Sequence, residues 1–197
     1  YCAYFDFLER ENALLPTIAF EVLGQGTVCF TDELPREGPI TSTKQIWGFM
    51  DSQETVAISP AMFEELVFPC YQKIASRMGL LSYGCCEPVH PIWEVISTLP
   101  NLRKVSISAW CDEAVMAERL RGQRIVYHRK PAATYLGVGS ALDEEAFRKH
   151  IEYTVKTAAG CTLEITQRDV YTVGQNINRV RRYVEIIRET IDQYWRP

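Results

Sequence analysis

No apolar run in the chain approaches the roughly 20 residues needed to cross a bilayer. Nor does a basic start followed by an apolar stretch mark a signal peptide. A spanning helix and a secretory leader are therefore not expected. Excess positive charge is missing too: 21 Lys and Arg face 25 Asp and Glu, a net charge of -4, with a pI near 5.5. That balance argues against a nucleic-acid or anionic-membrane surface. Histidine is scarce, at three residues, and the seven cysteines form no framework, scattering over 2, 29, 70, 85, 86, 111 and 161. Without the tight spacing of a small secreted disulfide domain, a reduced cytoplasm is the expected home, with Cys2, Cys29 and Cys70 as packing residues. Internal repeats and low-complexity stretches are absent. The sequence starts with Tyr1 and not with Met, which leads to the expectation of a fragment of a longer protein.

What is present is an ordinary globular mix, 47% hydrophobic and 23% charged over 197 residues, about one domain. Residues 1–23 read as a helical segment broken near Pro16, Gly24-Gln25-Gly26 ends it, and 32–44 reads as a loop. Residues 1–44 are expected to belong to the same domain as the rest. From 45 onward strand and helix alternate. Expected strands are Ile46–Met50, Leu80–Gly84, Val105–Ser108, Ile125–Tyr127 and Thr162–Thr166. Expected helices run from Ser59-Pro60 to Met78 with Gly79 as stop, over Pro91–Leu99, Glu113–Arg121, Leu142–Ala159 and Asn178–Tyr194. The last carries Val180, Val184, Ile187 and Ile191 on one face. This alternation means an α/β fold, a parallel sheet with outer helices.

Each strand is followed by polar, reactive residues, the arrangement of a barrel's active face. The densest group is Tyr83-Gly84-Cys85-Cys86-Glu87-Pro88-Val89-His90, where four side chains of the thiolate, carboxylate and imidazole types that bind zinc fall within six positions. Cys85, Cys86 and His90 are the candidate metal ligands. Adjacent residues of an extended chain point to opposite sides, so Cys86 is expected to face away unless a turn intervenes. A buried thiol pair is the plain alternative. Glu87 is a candidate catalytic carboxylate or the N-terminal charge of the next helix.

Asp51, His128, Arg129 and Glu164 are further catalytic candidates, and Gln53, Trp110, Lys130, Gln167 and Arg168 candidate substrate contacts. The triplet His128-Arg129-Lys130 suits carboxylate or phosphate; a solvated loop is its alternative. Glu164, a charge within an otherwise apolar strand, is expected to face inward, whereas Ser52-Gln53-Glu54 also reads as plain loop. Cys161, at a strand start, is expected away from the active face. Eight strands close such a barrel and five are found, so the fold expected is a partial (β/α)8 TIM barrel of about five βα units.

Over residues 45–194 the chain resembles the uroporphyrinogen decarboxylase superfamily. The resemblance is carried by Tyr83–His90, by Asn101–Ser108, and by the Gly160–Asp169 strand with its closing helix. It implies an eight-stranded α/β barrel enzyme, of which this would be the C-terminal part. Two activities are implied. One is corrinoid-linked methyl transfer to or from a thiol, with zinc activating the thiol and a corrinoid protein as partner. The family's ligands include a His-x-Cys pair; here Cys85 aligns and Tyr83 stands in place of the His. The other is cofactor-free decarboxylation of uroporphyrinogen or a related acid, with His128, Arg129 and Lys130 holding carboxylates. The decarboxylases' Arg-rich N-terminal signature has no match. A homodimer is a further expectation, and a non-catalytic fragment or binding module is a third reading.

Overall fold

The structure, a computed structural model, describes residues 43–45 and 47–196. The expected helical segment 1–23, its glycine break, nearly all of the 32–44 loop, Cys2, Cys29 and Ile46 lie outside the described residues.

Five parallel strands form one sheet in chain order: β1 (Trp47–Met50), β2 (Leu80–Tyr83), β3 (Leu102–Ile107), β4 (Val126–Arg129) and β5 (Thr162–Ile165). The helices lie between them in sequence: α1 (Pro60–Met62) and α2 (Phe68–Ala75), then α3 (Trp93–Ile96), α4 (Glu113–Leu120), α5 (Thr134–Gly137), α6 (Glu144–Thr157) and, after β5, α7 (Ile177–Tyr194). The fold is α/β, as the alternation of strand and helix signals implies. The chain divides into two compact units between Val105 and Ser106.

In the first unit, Trp47 to Met50 pair with Leu80 to Tyr83 in unbroken register. Pairing of β2 with β3 jumps from Leu81–Leu102 to Ser82–Lys104, skipping Arg103. That bulge explains why β3 begins at Leu102 and not at Val105. Arg103 is turned out to solvent, while Lys104 stays buried with its ammonium 5.7 Å from the Trp47 ring. Ser59 caps α1, its hydroxyl accepting the Met62 N–H at 3.2 Å, with Pro60 at the first helical position. A π-helical turn, Phe63–Val67, joins α1 to α2. Pro69 has no N–H for the Glu65 carbonyl, and the Phe68 N–H reaches back five residues to the Phe63 carbonyl. Helix α2 stops at Ala75, three residues before the expected Met78. A Met78 N–H to Ala75 carbonyl turn follows, and the Met78 side chain lies so close to β1 that a Cβ on Gly48 would sit 2.4 Å from its Cγ.

In the second unit, Asp112 caps α4 by accepting the Val115 N–H at 3.0 Å. Asp143 caps α6 by accepting that of Ala146 at 3.0 Å, with Glu144 and Glu145 in the first turn, where the helix dipole favours acids. Leu136, Phe147, Ile151, Val155, Tyr183 and Ile186 form a buried core against which Leu163 and Ile165 of β5 pack. The face of α7 is therefore rotated from the expected one. Arg179, Tyr183, Ile186 and Thr190 are its buried residues, Val180, Ile187 and Ile191 flank them, and Val184 is turned out. A ring with a hydroxyl and a β-hydroxy residue escape a pattern drawn on aliphatics alone. Phe147 and Tyr183 stack at 4.1 Å, and the Tyr183 hydroxyl donates to the side-chain amide oxygen of Gln167.

Candidate functional site

The Cys-Cys-Glu segment follows β2 directly. Gly84 takes a φ of 94°, a conformation that glycine adopts readily and residues with a Cβ resist, and the chain bends over residues 85–87. The bend corrects the expectation for Cys86. Its Sγ lies 3.7 Å from that of Cys85, so the two sulfurs stand side by side. Cys85 is buried and Cys86 partly exposed.

Glu87 is also buried, and its two oxygens accept backbone N–H groups, Oε2 from Cys85 at 2.9 Å and Oε1 from Ser52 at 3.1 Å. The carboxylate thus ties the loop after β1 to the thiol loop. Ser52, its hydroxyl 2.7 Å from that of Thr55, was read as plain loop because a backbone donor leaves no trace in side-chain spacing. The Tyr71 hydroxyl donates to the Asp51 carbonyl at 2.5 Å. Burial pushes its pKa up to about 12, against a hydrogen bond with Ser52 and with help from the charges of Glu54, Asp51 and Glu87. Tyr83 is wholly buried, and among the described residues its hydroxyl has no hydrogen-bond partner. Burial raises its pKa, and the neighbouring phenol and carboxylates add to the rise. The Asp51 side chain is half-buried, with the exposed Gln53 amide at 3.5 Å, and His90 opens a short 3-10 turn (His90–Ile92), half-buried.

Among the described residues, no group of three or more His, Cys, Asp and Glu side chains stands together as a metal site. Two thiolates on one tetrahedral zinc are about 3.8 Å apart for bonds of about 2.3 Å, so the Cys85–Cys86 spacing suits two corners of such a site. His90 does not complete it, and the residues described do not by themselves fit zinc.

In the second unit, His128 and Arg129 belong to β4 itself and, with Lys130, are buried, correcting the reading of a basic loop. The guanidinium of Arg129 pairs with Glu113 of α4 at 2.6 Å and donates to the carbonyls of Ile107 at 2.9 Å and Ser108 at 2.6 Å. Glu113 also accepts from the Thr154 hydroxyl at 2.7 Å, and its carbonyl from the Tyr127 hydroxyl at 3.2 Å. Burial raises the pKa of Glu113, opposed by Arg129 and those hydroxyls. His150 Nε2 lies 3.2 Å from Arg129 Nη2, its ring stacked on Tyr135. Burial, with the nearby guanidinium, lowers its pKa to about 4. Sequence reading passed over Glu113, Thr154 and His150 because all three sit on helices and meet only through the fold.

Tyr127 and Arg129 both reach α4, so alternation turns His128 to the opposite side of β4. There it is registered with Glu164, with Nε2 and Oε1 at 3.5 Å. Leu163 and Ile165 face the α6–α7 core, so Glu164 likewise lies on the side away from those helices, partly exposed. Lys130 donates its backbone N–H to the Ile107 carbonyl at 2.9 Å. The Gln167 amide donates to the Arg168 carbonyl at 2.7 Å, and both residues are half-buried. Trp110 is 77% exposed, a placement that offers no enclosing contact. Cys161 is buried, its thiol 3.5 Å from the Ala117 carbonyl and its pKa raised by burial. Cys85, Cys86, Cys111 and Cys161 are thiols, but Cys70 is disulfide-bonded and not a packing thiol. No protein-family model, curated protein or solved structure matches the chain.

Proposed function

We propose that this chain is the thiol-bearing part of a uroporphyrinogen decarboxylase-like barrel enzyme that moves a methyl group to or from a thiol or a corrinoid. One observation carries the reading: two thiols stand 3.7 Å apart at the carboxyl end of β2, the end where parallel α/β enzymes place their chemistry. Glu87 holds the loop that presents them. Cys86, the more exposed sulfur, is the one a methyl donor reaches. A thiolate is the nucleophile in such a transfer. Zinc would need ligands beyond Cys85 and Cys86, and no step here runs through it.

The decarboxylase alternative needs a guanidinium to grip carboxylates, and that of Arg129 is committed to Glu113 and two carbonyls. A corrinoid-carrying protein is the proposed partner. No described helix is long and apolar enough to cross a membrane. A reduced cytoplasm suits the four thiols and does not suit the disulfide-bonded Cys70.

The test is demethylation of a methyl-corrinoid in the presence of a thiol acceptor. Turnover by the wild-type chain that is lost in Cys86→Ser is the expected result. Equal turnover in that variant overturns the reading, as does a wild-type chain that leaves the methyl-corrinoid intact.

A further inference from the structure

Neighbouring cysteines on a regular strand hold their sulfurs on opposite sides. Here the bend after Gly84 brings the Cys85 and Cys86 sulfurs to 3.7 Å on one side. We infer that Cys85 and Cys86 form a redox-active vicinal dithiol, a site of reversible modification by low-molecular-weight disulfides of the glutathione class. This goes beyond the methyl-transfer reading and does not depend on it.

Unequal exposure of the sulfurs sets the order of events. Cys86 is partly open to solvent, while Cys85 is 5% exposed. The Cys86 thiol gives its proton to water, and the thiolate attacks one sulfur of the incoming disulfide. A mixed disulfide forms and one small thiolate leaves. Cys85 then loses its proton, its sulfur attacks Cys86 Sγ, and the second small thiolate departs as the Cys85–Cys86 bond closes. Both small thiolates take up a proton. The two cysteines are oxidised by two electrons, and one small disulfide is reduced to two small thiols.

A disulfide bond of about 2.05 Å requires the sulfurs to approach by about 1.7 Å from their present separation. Consecutive Cα atoms are about 3.8 Å apart, nearer than the roughly 4.4–6.8 Å of ordinary disulfides. The ring is therefore strained, and strained disulfides reopen readily in excess thiol. Closure twists the chain beside the Cys85 N–H that Glu87 accepts, and the same carboxylate accepts from Ser52. Oxidation at the thiols would therefore be felt at the end of β1.

The experiment exposes the full chain to excess oxidised glutathione, blocks remaining thiols by alkylation, and weighs the tryptic peptide Met78–Arg103, which holds both residues. A peptide lighter by two hydrogens, without glutathione, and restored by excess reduced glutathione is the expected result. A stable glutathione adduct on wild-type Cys86, a dimer cross-linked through it, or a peptide alkylated at both cysteines overturns the proposal. In Cys85→Ser the glutathione should remain on Cys86. The wild-type mass alone decides the matter if that variant does not fold. Because the readout is a mass and not turnover, failure here leaves the methyl-transfer reading standing, and the reverse also holds.

Discussion

Arg129 and Glu113 are each nearly closed to solvent, and each has the other as its charge partner at 2.6 Å. Removing one member leaves the other charged and enclosed, which costs about 3–5 kcal/mol. Arg129→Met should lower the unfolding free energy measured in urea by that order. The double variant Arg129→Met with Glu113→Leu should recover part of the loss, since an apolar pair of similar volume is often tolerated. If the single variant keeps wild-type stability, the buried pair is not what fixes α4 to β4. His150 gives the same neighbourhood a pH dependence. Its folded pKa of about 4 lies below the ordinary 6.5, so the unfolded chain binds its proton first on acidification. The stability tied to neutral His150 is complete above about pH 6.5 and is lost as pH falls toward 4. Glu113, raised by burial, pulls the opposite way near its own titration. The discriminating quantity is therefore the difference between wild type and His150→Gln. Unfolding midpoints measured from pH 7 to 4 should converge for the two proteins as pH drops, and a constant gap would contradict the assignment.

At the scale of elements, helix α7 offers the cleanest comparison. Ile186 is wholly buried in the core shared with Phe147, Ile151 and Val155, whereas Val184 is 38% exposed. Ile186→Ala should cost about 2–5 kcal/mol, and Val184→Ser should stay within about 0.5 kcal/mol, both read from denaturant midpoints. The reverse order would restore the face expected from the aliphatic spacing. Helix starts were legible in the sequence because their signals are local: Ser59 before Pro60 caps as expected, and the helices expected from Glu113 and Leu142 begin behind the caps Asp112 and Asp143. Strand limits were less so. Arg103 and Lys104 hid the start of β3, and His128 and Arg129 hid the end of β4, because a bulge and a buried ion pair neutralise what single-residue polarity predicts. The candidate site shows the same divide. Its thiols and acid were visible as residue types, but the bend that pairs the sulfurs and the backbone donors that hold Glu87 are three-dimensional facts.

For the molecule as a whole, the strand order places β1 and β5 at the ends of the sheet among the described residues. An end strand left open offers N–H and C=O groups to a second chain, which is the physical basis of the expected homodimer. Sedimentation velocity over a range of concentrations should show a dimer growing with concentration. A single monomeric species throughout would remove the self-pairing fragment from consideration. The α/β class was evident from strand–helix alternation alone; closure into a barrel is a property of more strands than these five.

The π-helical turn at Phe63–Val67 works as a correction of phase. Phe63 and Tyr71 are eight residues apart, and at about 100° per residue a regular helix would set them roughly 80° out of alignment. One surplus residue absorbed in the wide turn cancels most of that error, and the two rings meet edge to face at 6.0 Å. Tyr71 is thereby aimed at the Asp51 carbonyl, next to the Ser52 N–H that Glu87 accepts. Inserting one further residue into the exposed Glu64–Leu66 stretch would turn Tyr71 by about one helical step. The carbonyl after β1 would lose its phenol, and a surface insertion well before the thiols in sequence would loosen the loop that presents them.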